Sequence, residues 1–249
     1  MSTYVYGIAA RSHPSLPRDM EGVGTPALKV RVLEEGELAA IVSDAPEDLR
    51  PKRKDLLAHQ NVLNEAGAGG AVLPMRFGSV APDDASVTGV LAERAEHYLE
   101  RLKALDGKVE YNVKASHDQE AVLHRVMSDN PELRALAQSN RQSGGGSYED
   151  KLRLGEMVAA AVQNREAEDA ALLRQALENT AAAESVGPDS TGWLANVSFL
   201  VERAKAEEFL AGVERVRQEY PHLEVRVNGP LPPYSFVEPA PSEPAEARV

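Results

Sequence analysis

The stretch Asn228-Gly229-Pro230-Leu231-Pro232-Pro233-Tyr234-Ser235-Phe236-Val237 lies near the end of a 249-residue chain. Proline at 230, 232 and 233 fixes φ and removes the amide donor, so the segment is excluded from a helix interior and from the middle of a sheet. It is predicted to be an extended strap. Leu231, Tyr234, Phe236 and Val237 are too few and too irregularly spaced to form an amphipathic element alone, so the strap takes its order from a body already folded. Burial of Tyr234 and Phe236 contributes about 2 kcal/mol each, and proline lowers the ordering cost by restricting the unfolded chain.

Upstream of the strap, Val225 and Val227 predict a short strand. Ala206, Phe209, Leu210, Val213, Val216 and Tyr220 form the apolar stripe of a helix that Pro221 ends. Trp193 to Val201 alternates and reads as a strand. Tyr148 to Ala183, alanine-rich and mixed in charge, predicts one long helix, preceded by the flexible break Gln142 to Ser147. Asn130-Pro131 caps a further helix, Val122, Leu123, Val126 and Met127 mark another, and Val109 to Lys114 is a strand. Asp106-Gly107 is the expected boundary with the first part of the chain.

That first part opens with a strand over residues 4–10. A strand over Leu28, Val30 and Val32 turns at Glu34 to Glu37 and returns over Leu38 to Val42 as a hairpin. A helix follows from Lys52 to Ala66, then a strand through Leu73, Met75 and Phe77 that Pro74 assigns to an edge or a bulge. Asp83 to Leu105 predicts one continuous helix. The order of elements implies an α+β chain of two domains: residues 1–105 as an N-terminal α+β domain, and 106–228 as a ferredoxin-like domain with extra helices. Residues 229–249 would form the strap and a tail, disordered from Glu238 onward because it has little apolar surface to bury.

Composition narrows function. A formal charge of -12 and a pI near 5.0 argue against nucleic acid or an anionic membrane as the main partner. Arg50-Pro51-Lys52-Arg53-Lys54 reads as a solvated helix start. Absence of cysteine excludes disulfides and thiolate metal sites and fits a cytoplasmic location. The start of the chain has no export signal pattern, and nowhere do eighteen apolar residues run together.

Catalytic signatures are missing. The histidines show no zinc-helix spacing, and the glycines no dinucleotide or P-loop spacing. His117, with Asp118 and Glu120, is the nearest approach to a ligand cluster, but Ser116-His117-Asp118 reads as a helix cap. No catalytic, cofactor-binding or metal-binding residue is assigned. His59 and Arg76 are expected to serve structural hydrogen bonding.

Three stretches together resemble the gas vesicle protein F/L family: Tyr4-Val5-Tyr6-Gly7-Ile8; Val72-Leu73-Pro74-Met75-Arg76-Phe77-Gly78-Ser79-Val80, with His59 upstream; and Gly229 to Val237. Leu231 stands where that family more often has Trp, and Asn112 where Gly is expected. The resemblance implies an N-terminal α+β domain, a ferredoxin-like C-terminal domain and a cytoplasmic protein associated with gas vesicles. As an assembly factor it would bind the shell protein, limit its aggregation during nucleation, and contact other accessory proteins. It singles out a central signature of His59, Pro74, Arg76, Phe77 and Gly78, and a closing strap of Pro230, Pro232, Pro233, Tyr234 and Phe236. The alternative is a small-molecule enzyme or sensor with an inter-domain cleft, motivated by His59, Arg76 and His117.

Overall fold

The computed structural model describes residues 2–13, 16–188 and 192–238. The expected disordered tail lies, from Pro239 onward, outside the described residues. The chain divides into two compact units, one of residues 1–110 with 229–249 and one of residues 111–228. The strap therefore groups with the first unit rather than standing apart.

The first unit contains β1 (Thr3–Ala10), β2 (Arg31–Glu35), β3 (Leu38–Asp44), α1 (Arg53–Ala68), β4 (Val72–Pro74), β5 (Val80–Ala81), α2 (Asp84–Glu93) and α3 (Ala95–Leu105). Its sheet runs β2-β3-β1-β4, with β5 also paired to β1, all antiparallel. β1 is its axis, and Tyr4, Tyr6 and Ala9 are buried along it against Val62, Leu63 and Ala66 of α1. Gly7 is required here: a Cβ would stand 2.9 Å from the Leu73 carbonyl oxygen and from Val72 Cγ1. Pro74, opposite Gly7, ends β4 at the sheet edge, where a missing donor costs no ladder bond.

Three expectations are corrected in this unit. The strand expected through Leu73, Met75 and Phe77 covers only Val72–Pro74, and Phe77 lies in the turn that follows. The strand over Leu28 to Val32 begins only at Arg31; Lys29 makes an isolated bridge to Glu21. The single helix from Asp83 to Leu105 is two, broken at Arg94 (φ -111°, ψ 22°). Val87, Thr88, Gly89 and Val90 are poor helix formers and hold the first segment weakly, so the break lets α3 turn its own stripe, Tyr98, Leu102 and Leu105, inward.

The second unit is built from β6 (Lys108–His117), α4 (Gln119–Asp129), α5 (Pro131–Gln142), α6 (Tyr148–Glu178), β7 (Ala183–Val186), β8 (Ala195–Glu202), α7 (Ala206–Glu219) and β9 (Leu223–Leu231). The sheet order β7-β8-β6-β9 is the 2-3-1-4 order of a ferredoxin-like β-α-β-β-α-β arrangement, with α4 and α5 added before the first crossover helix α6. Tyr111 stacks on Phe209 at 5.2 Å, and Phe209 meets Phe199 at 5.4 Å. Leu173, Leu177, Val213 and Val216 complete this core from the helix side.

The long helix stops at Glu178 rather than Ala183. Thr180 turns its hydroxyl back to the Leu177 carbonyl at 2.8 Å, and residues 183–186 pair with Val197 to Leu200 as β7. The alanines there favour helix locally, and strand pairing overrides that weak preference. Gly144, Gly145 and Gly146 all have positive φ, and Ser147 closes the loop by a capping box with Asp150.

Candidate functional site

The central signature converges on one buried ring cluster. His59 projects from α1 between Tyr4 and Tyr6 of β1 and Phe77 of the turn after β4. Its Nε2 lies 3.1 Å from the Met75 carbonyl, which can only accept, so Nε2 carries the proton. Nδ1 then accepts from the Tyr4 hydroxyl at 2.8 Å, and that hydroxyl accepts the Gly78 amide at 3.3 Å. Gly78 has φ 93°, which a side chain rarely adopts, and this turn aims its amide at Tyr4. Tyr6 stacks on His59 at 5.5 Å, accepts the Val23 amide at 2.9 Å and reaches Ser43 Oγ at 3.1 Å.

Burial sets the protonation here. It lowers the pKa of His59 below the ordinary imidazole value, against the opposing bond to Met75. It raises those of the Tyr4 and Tyr6 phenols, with a small addition from the charge of Asp55. The cluster is therefore neutral and fully hydrogen-bonded, a connected polar network that fixes how β1, α1 and the turn at 75–78 sit together. Arg76 differs from the structural expectation. Its side chain is exposed without a partner among the described residues, and only its carbonyl is engaged, accepting the Ser79 amide and hydroxyl.

The strap closes on the same unit. β9 carries Pro230 at the sheet edge to Leu231, and Pro232 and Pro233 lead into a 3₁₀ turn over Tyr234–Phe236. The strap is thus extended only in part. The Pro232 and Pro233 carbonyls accept the Tyr234 and Phe236 amides, a turn proline allows because it supplies acceptors. Tyr234 packs beside Phe77 on the core around Tyr4 and Tyr6, and burial pushes its phenol up to about 12. Phe236 is buried.

Two residues unmarked in the sequence reading hold the strap. Glu110 accepts the Ser235 amide and hydroxyl, both at 2.8 Å. Arg101 donates to the Phe236 carbonyl at 2.7 Å and the Val237 carbonyl at 3.1 Å.

In the second unit, His117 finds partners other than those expected. Asp118 caps α4 through the Ala121 amide. The His117 Nε2 donates to Asp169 Oδ2 at 2.9 Å, and His222 Nε2 donates to the same oxygen at 2.8 Å. Arg165, one turn earlier on α6, takes Oδ2 at 3.0 Å and Oδ1 at 2.6 Å. Asp169 is fully buried. Burial raises its pKa, but the bonds from Arg165, His117 and His222 outweigh that and hold it below the ordinary carboxylate range. Two imidazoles and a carboxylate are a possible metal set, with ligand atoms within 4.8 Å of one another. Here, however, Oδ2 already accepts three bonds and the guanidinium supplies the balancing charge. Asp169 and His222 are 52 or more residues from His117 along the chain, so spacing carried no signal of them.

Among the described residues no helix is long and apolar enough to cross a membrane. The family profile described as gas vesicle synthesis protein GvpL/GvpF matches residues 2–238. The chain is 68% identical over 238 residues to gas vesicle protein F of Streptomyces sp. (strain CB03234), covering 96% of this chain and 100% of that protein. It is 26% identical to gas vesicle protein L of the same strain, covering 94% and 91%. The crystal structure of the gas vesicle protein GvpF from Anabaena sp. PCC7120 shares the fold, with a TM-score of 0.76 at 23% identity over 96% of this chain and 99% of that one. That of GvpF from Microcystis aeruginosa does so with a TM-score of 0.71 at 24% identity, over 95% and 99%. A profile match across residues 2–238, with 68% identity to a gas vesicle protein F, makes this chain a member of the GvpL/GvpF family of gas vesicle synthesis proteins.

Proposed function

We propose that this protein is a cytoplasmic gas vesicle assembly factor that binds the shell protein and limits its aggregation while vesicles nucleate, working beside other accessory proteins. The observation that carries this reading is the family match over residues 2–238. The formal charge of -12 supports it, since an acidic body attached to an apolar subunit keeps the pair dispersed. The reading is non-enzymatic: His59 and His117 belong to different units and are engaged in hydrogen bonds, and Arg76 is exposed. Nothing in their geometry favours a catalytic or sensing cleft.

The test is co-expression of the full chain with the shell protein and, separately, with each accessory protein. Co-purification with the shell protein and a rise in its soluble fraction are expected. An unchanged soluble fraction with no capture would overturn the reading, and capture of accessory proteins alone would make the chain a scaffold.

A further inference from the structure

The first unit contains a cavity of about 430 Å3 between the loop at 24–28 and the segment 44–52, with Asp55 of α1 in its wall. Gly24 shapes the rim. Its φ of 114° is unfavourable for a side chain, and a Cβ there would press to 3.0 Å from the Pro26 carbonyl and 3.3 Å from Leu28. The charges around the cavity fall into two groups. Asp44 is held by Arg31 at 3.1 Å, and Asp48 is shared by Arg50 at 2.7 Å and Lys52 at 3.3 Å. Glu47 and Asp55 have no cation partner among the described residues.

Asp55 is the group that needs explanation. It is only 5% exposed, and Oδ1 accepts the Gly24 amide at 2.9 Å, while Oδ2 has no hydrogen-bond partner among the described residues. A buried carboxylate is costly unless its charge is compensated, and the nearest lysine on α1, Lys54, turns its ammonium to the Gly24 carbonyl. The same cavity is lined by the aliphatic Pro26, Leu28, Pro46 and Leu49 together with charged Asp44, Glu47, Asp48 and Lys52. A buried carboxylate in a cavity with aliphatic lining matches a cation carried on a methylene stem, which buries its stem and pairs its head.

We propose that this cavity binds an aliphatic cation, an ammonium or guanidinium head on a methylene stem, with Asp55 as its counter-charge and Glu47 at the entrance. Two sources share this chemistry: a lysine or arginine side chain of a partner polypeptide, and a free polyamine. The site stands independently of the assembly role, and the experiment keeps the two separable.

The full chain, 15N-labelled at low ionic strength, is titrated with agmatine, with spermidine and with N-acetyl-leucine amide as the uncharged control. Saturable shifts at Gly24, Thr25, Leu28 and Leu49 are expected with both cations and not with the control. Asp55→Asn, which keeps volume and the acceptor for Gly24, should weaken binding at least tenfold, and Glu47→Gln two- to threefold. Should Asp55→Asn fail to fold, Leu49→Trp fills the cavity from its wall and should abolish the shifts. Shifts that are absent, that appear elsewhere, or that survive both Asp55→Asn and Leu49→Trp would overturn the site.

Capture of vesicle proteins by the wild type and Asp55→Asn then distinguishes the sources. Capture lost only in the variant identifies a partner side chain. Equal capture by both, with cation binding confined to the wild type, identifies a free polyamine. Wild-type capture failing while cations still bind would count against the assembly role and leave the site in place.

Discussion

Glu110 clasps Ser235 with both carboxylate oxygens, each 2.8 Å from its partner, across 125 residues of sequence. The carboxylate is almost wholly buried, and the amide and hydroxyl of Ser235 account for both oxygens. Glu110→Ala leaves the Ser235 amide to a weaker partner and is expected to cost about 1–3 kcal/mol, with Glu110→Gln closer to the lower figure because it keeps one acceptor. Urea unfolding of both variants measures this, and equal stability of Glu110→Ala and wild type would show the clasp to be incidental.

Removing the strap's rings should cost more. Phe236→Ala deletes a buried ring and is expected to destabilise by about 3 kcal/mol, and Tyr234→Ala, half-buried beside the Tyr4 and Phe77 cluster, by about 2 kcal/mol. Limited proteolysis should cut the double variant after residue 228 well before global unfolding. Resistance equal to wild type would mean that the strap is held by its backbone bonds to Arg101 and Glu110 alone.

His59 makes stability depend on pH in a defined direction. Burial depresses its folded pKa below the ordinary 6.5, so the unfolded chain takes up the proton more readily. The contribution is complete above 6.5 and is lost as pH falls through 6.5 toward the depressed folded value, at up to about 1.4 kcal/mol per pH unit. His59→Gln cannot titrate, so its stability curve should be flatter between about pH 5 and 6.5. Parallel curves would contradict the assignment of a neutral, buried ring.

Asp169 makes stability depend on pH in the same direction, over a more acidic range. Its folded pKa is depressed, so its contribution is present above the ordinary carboxylate value and disappears as pH falls through the folded one. Asp169→Asn strands the Arg165 charge and leaves a single neutral acceptor for the guanidinium and the two histidines, at a cost of about 3–5 kcal/mol. A double-mutant cycle with Arg165→Met should recover part of that loss, whereas strict additivity would show that the two do not act as a pair.

Two glycines offer a matched comparison. Gly78→Ala meets no atom within 4 Å and suffers only backbone strain at φ 93°, about 1–2 kcal/mol. Gly7→Ala drives a Cβ against the Leu73 carbonyl, an atom that no rotamer change can move, so β4 must shift. The melting temperature should fall further for Gly7→Ala, and the reverse order would refute close strand packing at that point.

What the sequence disclosed followed the range of each interaction. Periodicity found α1, α4 and α7, because an apolar stripe is written into consecutive turns, and the Asn130-Pro131 cap found α5. Proline assigned β4 to an edge or a bulge and kept the strap out of the middle of a sheet, since a missing donor is a local fact. The hairpin was legible at Gly36, where φ is 56°. Elements decided by distant partners were not: β7 is alanine-containing and becomes a strand only because Val197 to Leu200 lie alongside it.

The sites divide in the same way. His59 was marked by its motif and meets Tyr4 and Phe77 of the other marked stretches. Glu110, Arg101, Asp169 and His222 carry no local pattern, and only folding brings them to Ser235, Phe236 and His117. Ser116-His117-Asp118 did read as a cap, and Asp118 is one, but the imidazole faces α6 instead.

The first unit is discontinuous, made of residues 1–110 and 229–249, with residues 111–228 between them in the chain. During synthesis its opening strands emerge first, yet Glu110 and Arg101 must wait for Ser235 and Phe236 until more than a hundred further residues have been added. The inserted unit can thus finish folding while the body that emerged before it is still open. A truncation that removes residues 229–237 would accordingly damage the N-terminal body, and a stalled or clipped chain would leave the Tyr4, His59 and Phe77 cluster without the Tyr234 ring that packs on it.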